Sequence, residues 1–229
     1  MKLVLLPGMD GTGDLFASFV DALPAPIEPA VVAYPVDQTL SYAQLTALVR
    51  DRLPTDEPFA VLGESFSGPI AIRLAAEQPT NLKGVVLCCT FASNPQPLLA
   101  SMQPLAELLP IQRVPNFLTS FALLGAAANE KHRADLSTAL DKVTESVLSR
   151  RLQAIATVDV RKELSAVAVP MLYLQATKDR LVPRAAADRL RQQQRRIEVI
   201  SIDGPHMLLQ TQPTVAADVV CEFLDRLPC

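Results

Sequence analysis

Histidine is scarce in this 229-residue chain: only His132 and His206 are present. With so few imidazoles, and no cysteines or carboxylates at metal-ligand spacing, no metal site and no resident cofactor are expected. No one sign of charge dominates either. A net charge of −3 gives no electrostatic case for nucleic acid or an anionic membrane surface as a partner. The basic stretch Arg189, Arg191, Arg195 and Arg196 lies in a glutamine-rich helix end and reads as a solvated face. Long apolar runs are missing too. The longest, Phe117 to Ala128, is about twelve residues and contains Thr119 and Ser120, whereas a bilayer-spanning helix needs about 20. Pro7-Gly8 ends the apolar start at Leu6 too early for the core of a signal peptide. The four cysteines include adjacent Cys88 and Cys89. These are expected on opposite faces of a strand, as small buried hydrophobes rather than a disulfide, and a reducing cytoplasm suits them.

What is present is a rhythm of short strands and amphipathic helices. Lys2–Leu6, Ala30–Ala33, Phe59–Leu62, Gly84–Thr90, Met171–Ala176 and Ile197–Ile202 are runs rich in Val, Leu and Ile. Continuous apolar runs of this length suit strands buried on both faces of a parallel sheet. Between them, Tyr42, Leu45, Leu48 and Val49 form one helical stripe and Ile70, Leu74 and Ala75 another. A last helix is predicted from Pro213 to Leu227, with Val215, Val219, Val220, Phe223 and Leu224 facing inward. The rhythm breaks between Phe91 and Met171, where helical patterns appear without a convincing strand. A structureless loop of that length is implausible in a compact domain. The expectation is therefore a mostly parallel α/β core from residues 1–93 and 166–229, with helices on both faces and a helical cap inserted at 94–165.

Chemistry enters through Phe59-Ala60-Val61-Leu62-Gly63-Glu64-Ser65-Phe66-Ser67-Gly68, an apolar strand joined through a serine to a small-residue helix. That is the layout of a nucleophile elbow, in which a strained turn lifts the serine hydroxyl above the sheet edge. Gly63 and Ser67 are the small residues that permit the bend, with Ser67 where glycine is usual. Ser67 is the alternative nucleophile, but Pro69 beside it suits the first turn of the next helix. A serine hydroxyl needs a base, and the base needs a partner that fixes its tautomer. His206, on the loop Asp203-Gly204-Pro205-His206 before the last helix, is the candidate base. His132, in Glu130-Lys131-His132-Arg133, reads as a solvent-facing lid residue. Asp179, after the strand from Met171, is the candidate orienting acid and also a candidate turn carboxylate. Asp203 is its competitor, although the Gly204 that follows suits a turn role.

Two backbone amides aimed at a developing oxyanion complete the requirement. Phe66, just after the serine, is the candidate for one. Met9, in Leu6-Pro7-Gly8-Met9-Asp10-Gly11-Thr12-Gly13, is the candidate for the other. That glycine-rich loop also invites a phosphate-binding reading, but it lacks the Gly-Lys-Ser/Thr of a P-loop. Leu105, Leu108, Phe117 and Phe121 in the insertion are candidates to line an apolar acyl channel; the alternative is that they only pack the cap onto the core.

The order of glycine-rich loop, Gly63-Glu64-Ser65-Phe66-Ser67-Gly68, Lys178-Asp179-Arg180-Leu181-Val182-Pro183 and His206 resembles the α/β-hydrolase superfamily over essentially the whole chain. The first loop and the elbow together are similar to the hydrolase-like part of plastid phytyl ester synthases and to small bacterial esterases. Members commonly carry a β-hairpin before the first strand seen here, so a minimal version of the fold is expected. The resemblance implies acyl chemistry on a small-molecule ester or thioester through an acyl-enzyme. Thioesterase, acyltransferase and non-catalytic ligand-binding members share the fold, and oligomeric state is not legible.

Overall fold

A computed structural model describes residues 1–95, 122–125 and 128–228. Six parallel strands form one sheet in the order β2-β1-β3-β4-β5-β6. They are β1 (Lys2–Leu6), β2 (Glu28–Val31), β3 (Phe59–Glu64), β4 (Leu82–Cys88), β5 (Met171–Ala176) and β6 (Ile197–Ile202). The order reverses at β1, which pairs with β2 on one side and β3 on the other. A reversal of this kind opens a crevice at the carboxyl ends of the strands, where open α/β sheets place their ligands.

The alternation of side chains along each strand separates two apolar layers. Val4, Leu6, Val61, Val85, Leu87 and Tyr173 face α2 (Tyr42–Arg50), α3 (Gly68–Ala76), and the helices we label α6 (Arg161–Ala166) and α7 (Ala185–Gln193). Leu3, Leu5, Leu62, Val86, Leu172 and Leu174 face α1 (Ala17–Ala22) and the last two helices, α8 (Leu208–Thr211) and α9 (Pro213–Asp225). Two more helices, α4 (Glu130–Asp141) and α5 (Glu145–Thr157), lie between β4 and β5 in sequence. Leu124, Leu136 and Met207 form a third, smaller apolar cluster that joins α4 to the loop after β6. No helix among the described residues is long and apolar enough to cross a membrane.

Several sequence readings need correction. The fourth strand is Leu82–Cys88 rather than Gly84–Thr90. The second strand is Glu28–Val31 rather than Ala30–Ala33. It is a largely exposed edge strand, so burial leaves little periodic signal in it. The edge strand β6 is also half-exposed along its middle, so burial on both faces holds only for the inner strands. In α9, Val215 is 46% exposed and Ala216 and Ala217 take the inner face instead. Cys88 and Cys89 do not point to opposite faces. The strand ends at Cys88, Cys89 has φ 48, and both side chains belong to the same apolar layer.

At Gly63 the sheet comes up against backbone. A Cβ there would lie 2.8 Å from the Ser67 carbonyl oxygen and 2.9 Å from the Ala71 Cβ. Backbone cannot yield as a flexible side chain can. Gly63→Ala is therefore expected to lower stability by about 1–3 kcal/mol. At roughly 2–4 °C per kcal/mol for a chain of this size, the loss is readable as a fall in Tm by calorimetry.

Candidate active site

The carboxyl ends of β1, β3, β5 and β6 carry the loops that bring the candidate residues together. After β3 the chain passes directly into a 3₁₀ turn, Ser65–Ser67, and then α3. Ser65 has φ 48, a left-handed conformation that costs a non-glycine residue free energy and persists only where neighbours impose it. Several do. Thr90 Oγ1 donates to the Ser65 carbonyl, and the Tyr42 hydroxyl donates to the Phe66 carbonyl at 3.0 Å. Ser67 is fully buried; its hydroxyl donates to the Pro7 carbonyl and meets the Tyr34 hydroxyl at 2.6 Å. The departure from glycine at position 67 thus has a physical reason: its hydroxyl ties the elbow to the first loop.

Ser65 Oγ lies 2.8 Å from His206 Nε2, and His206 Nδ1 lies 2.8 Å from Asp179 Oδ2. The His206 and Asp179 side chains are each only 5% exposed. The carboxylate can accept only from an Nδ1–H, which leaves Nε2 free to accept from the serine. Asp179 is also a turn residue, since its Oδ1 accepts from the Leu181 and Val182 amides at 2.8 and 2.9 Å. One oxygen fixes the loop and the other meets the ring. Asp203 points elsewhere. It is exposed, pairs with Lys178 at 2.8 Å and accepts from Thr177 Oγ1 at 2.7 Å. Together with the Lys178 amide on the Gly204 carbonyl, these contacts hold the two loops side by side.

Met9 and Ser65 both line a cavity of about 390 Å³, as does His206. Phe66 sits in the first turn after Ser65, where its amide has no earlier helical carbonyl to bind. Leu136, Leu140, Leu152 and Ile155 from α4 and α5 supply much of the apolar wall. Leu105, Leu108, Phe117 and Phe121 lie outside the described residues. His132 is half-buried rather than solvent-facing, and its Nδ1 is buried with no partner among the described residues.

Three residues that sequence reasoning passed over shape this site. Arg151, on α5, is 2% exposed and donates to the carbonyls of Met9, Asp10 and Pro35 at 2.8, 2.8 and 2.9 Å. Its guanidinium also lies 5.7 Å from the Tyr34 ring centre and 6.0 Å from that of Phe66, within cation–π range. Glu64, next to the serine, is buried and accepts from Gln210 Nε2 at 3.0 Å. That bond spans from the elbow to α8, just beyond His206. Arg151 and Gln210 look like ordinary helix residues in sequence. Glu64 had one available signal, a charged residue inside an otherwise apolar strand end.

Burial pushes the Glu64 carboxyl up to about 7, with Asp10 adding in the same direction and Gln210 and His206 opposing. The usual value is 4.5, so between these limits the folded protein holds a proton that the unfolded chain has released. The resulting stabilisation is present at low pH and is lost as pH rises toward about 7. Denaturant unfolding of the native protein should show this decline across the interval, and Glu64→Gln should flatten it. An unchanged slope in Glu64→Gln would assign the titration to another group.

The serine aminopeptidase S33 family matches this chain over residues 39–209. Among curated proteins, the chain is 29% identical over 207 residues to the biotin biosynthesis bifunctional protein BioHC of Cellvibrio japonicus. That alignment covers 84% of this chain and 40% of the relative. It is 28% identical over 166 residues to the pimeloyl-[acyl-carrier protein] methyl ester esterase of Nitrosomonas europaea, covering 66% of this chain and 64% of that one. The chain therefore matches less than two-thirds of the length of either relative. Among solved structures, a lipase-esterase related protein from Clostridium acetobutylicum superposes with a TM-score of 0.81 at 13% identity, over 97% of this chain and 93% of the other. The enol-lactonase from Burkholderia xenovorans superposes with a TM-score of 0.77 at 20% identity, over 98% and 91%. Identities this low speak for the fold alone. The family match extends over well over half of the sequence, from before α2 to beyond His206, and on that ground the chain belongs to the serine aminopeptidase S33 family of α/β hydrolases.

Proposed function

We propose that the protein is a serine carboxylesterase acting on esters of an apolar acyl group. The observation that carries this reading is the unbroken chain of contacts from Ser65 through His206 to Asp179, with Ser65 and His206 opening on the apolar cavity. Ester cleavage is also what the names of the Nitrosomonas relative and of the lipase-esterase related structure describe. In this mechanism Ser65 Oγ attacks the ester carbonyl as its proton passes to His206 Nε2. Asp179 supports the imidazolium, and the Met9 and Phe66 amides hold the oxyanion. The imidazolium then protonates the departing alcohol. A water deprotonated by His206 releases the acid from the acyl-enzyme. A thioester attacked by Ser65 would give the same acyl-enzyme, with a thiol as the leaving group.

The acyl group would lie against the helical cap read at 94–165, whose α4 and α5 leucines and isoleucine already wall the cavity. Leu105, Leu108, Phe117 and Phe121 would extend that wall. A cytoplasmic setting suits Cys88, Cys89 and Cys221, which are free among the described residues.

Labelling with a fluorophosphonate followed by peptide mapping tests nucleophile and reaction class together. The label is expected on Ser65, and Ser65→Ala should abolish both labelling and ester hydrolysis. Asp179→Asn should lower turnover by roughly four orders of magnitude, as when a triad histidine loses its orienting carboxylate. Asp203→Asn should cost far less, and the reverse ranking would move the acid role.

The acyl reading predicts that kcat/KM for p-nitrophenyl esters rises with chain length. Burying each CH₂ contributes about 0.8 kcal/mol, roughly fourfold, until the cavity fills. Leu152→Ser should flatten that series while acetyl ester hydrolysis persists. Highest efficiency on acetyl esters in the native enzyme, falling steadily with length, would point instead to a short-chain esterase.

A further inference from the structure

A fourth polar group stands beside the candidate triad and takes no part in the mechanism above. Cys89 follows β4, and its backbone turns to φ 48, which breaks the strand's alternation. A ligand atom from each of Cys89, Asp179 and His206 lies within 4.8 Å of the other two. Cys89 is 1% exposed, and the side chains of Asp179 and His206 are 5% exposed. A thiol, an imidazole and a carboxylate, all shielded from water, are the donor types that bind Zn²⁺. Around a tetrahedral zinc, ligand atoms roughly 2.0–2.3 Å from the metal sit about 3.3–3.7 Å apart. Separations approaching 4.8 Å would have to contract by about an ångström, and the 2.8 Å contact between His206 Nδ1 and Asp179 Oδ2 would have to open by about half an ångström, both within reach of small side-chain rotations. The three ligands come from three separate loops, which is why no spacing motif in the sequence announces them.

We propose that Cys89, Asp179 and His206 form an inhibitory binding site for a thiophilic divalent cation of the Zn²⁺ class. The nitrogen of His206 that faces Asp179 is Nδ1, so that atom becomes the ligand. On binding, the Cys89 thiol releases its proton to solvent and the thiolate takes the metal. The Nδ1 proton shifts to Nε2, so the imidazole stays neutral, and Asp179 exchanges its bond from Nδ1–H for the cation. Nε2–H then donates to Ser65 Oγ and can no longer accept its proton. Hydrolysis stops because the ring is locked in the wrong tautomer, with Ser65 itself untouched.

Only the activity readout of the following test rests on the esterase reading. In a Cys221→Ser Cys229→Ser background, titration with Co²⁺ is expected to produce a thiolate-to-cobalt charge-transfer band. Cys88→Ala should keep that band and Cys89→Ala should lose it. If Cys89→Ala fails to fold, Cys89→Ser retains the volume but removes the soft ligand, and it too should lose the band. In parallel, Zn²⁺ should inhibit p-nitrophenyl acetate hydrolysis. Relative to each variant's own metal-free rate, half-inhibition of the Cys89 variant should need at least about tenfold more Zn²⁺. No band in the native background, a band that survives Cys89 replacement, or equal inhibition of both proteins overturns the proposal. Absence of any esterase activity would reject the esterase reading and leave the cobalt band to decide this one.

Discussion

Everything at the carboxyl edge of the sheet depends on one backbone torsion, the left-handed conformation at Ser65. Here the chain turns from β3 into α3 with no intervening loop, and the turn is made at Ser65. A side chain placed there is lifted away from both elements. The surrounding structure is arranged to impose it. Gly63 gives the room, because any Cβ would strike the Ser67 carbonyl. Gly68 does the same on the helix side, where a Cβ would fall 2.0 Å from Thr90 Oγ1. Thr90 and Tyr42 then hold the carbonyls of Ser65 and Phe66. With the elbow fixed, α3 and the apolar layer beneath it can pack in only one register.

The second constraint is electrical. A cavity walled largely by leucine, isoleucine and methionine also has Asp10, Glu64 and Gln210 in its lining. Burying such groups is costly unless each finds a partner. Asp10 accepts from the Thr12 amide and hydroxyl at 2.9 and 2.7 Å, closing the first loop on itself. Arg151 brings a buried positive charge to the same loop and directs it at carbonyls rather than at a carboxylate. Planar, multi-donor recognition of this kind suits arginine and not lysine. The insertion thereby reaches into the core and holds the segment that carries Met9. Arg151 couples α5 to the first loop, and Lys142 adds an ion pair to Asp14 in the same segment.

The inner strands were legible in sequence because burial on both faces demands continuous apolar residues. Lys2–Leu6 and Met171–Ala176 run as their composition implies. The edge strand β2 carries Glu28 and Pro29, and nothing in such a segment separates strand from loop. Val215 misled for a related reason, since its helical spacing allowed an inner position that Ala216 and Ala217 fill. The elbow could be read because it is local: strand, turn and helix are contiguous. Arg151 and Gln210 could not, because their roles arise only when segments more than a hundred residues apart meet. Cys89 lay hidden for a different reason. A cysteine in an apolar run reads as a strand residue unless its backbone torsion is known.

Two carboxyl groups at the same edge of the sheet are treated differently by the fold. Asp179 accepts three hydrogen bonds, from His206 and from the Leu181 and Val182 amides. Glu64 accepts one from Gln210 and is pushed up to about 7, chiefly by burial. Near neutral pH the second carboxyl therefore holds a proton for much of the time, which limits negative charge in a largely apolar cavity. Replacing Glu64 by a permanently neutral residue would keep that benefit and discard the titration. Replacing Gln210 would remove the donor that lowers the Glu64 value and keep the carboxyl protonated to higher pH. The strand residue before Ser65 thus sets how charge is shared across the edge on which Ser65, His206 and Asp179 meet.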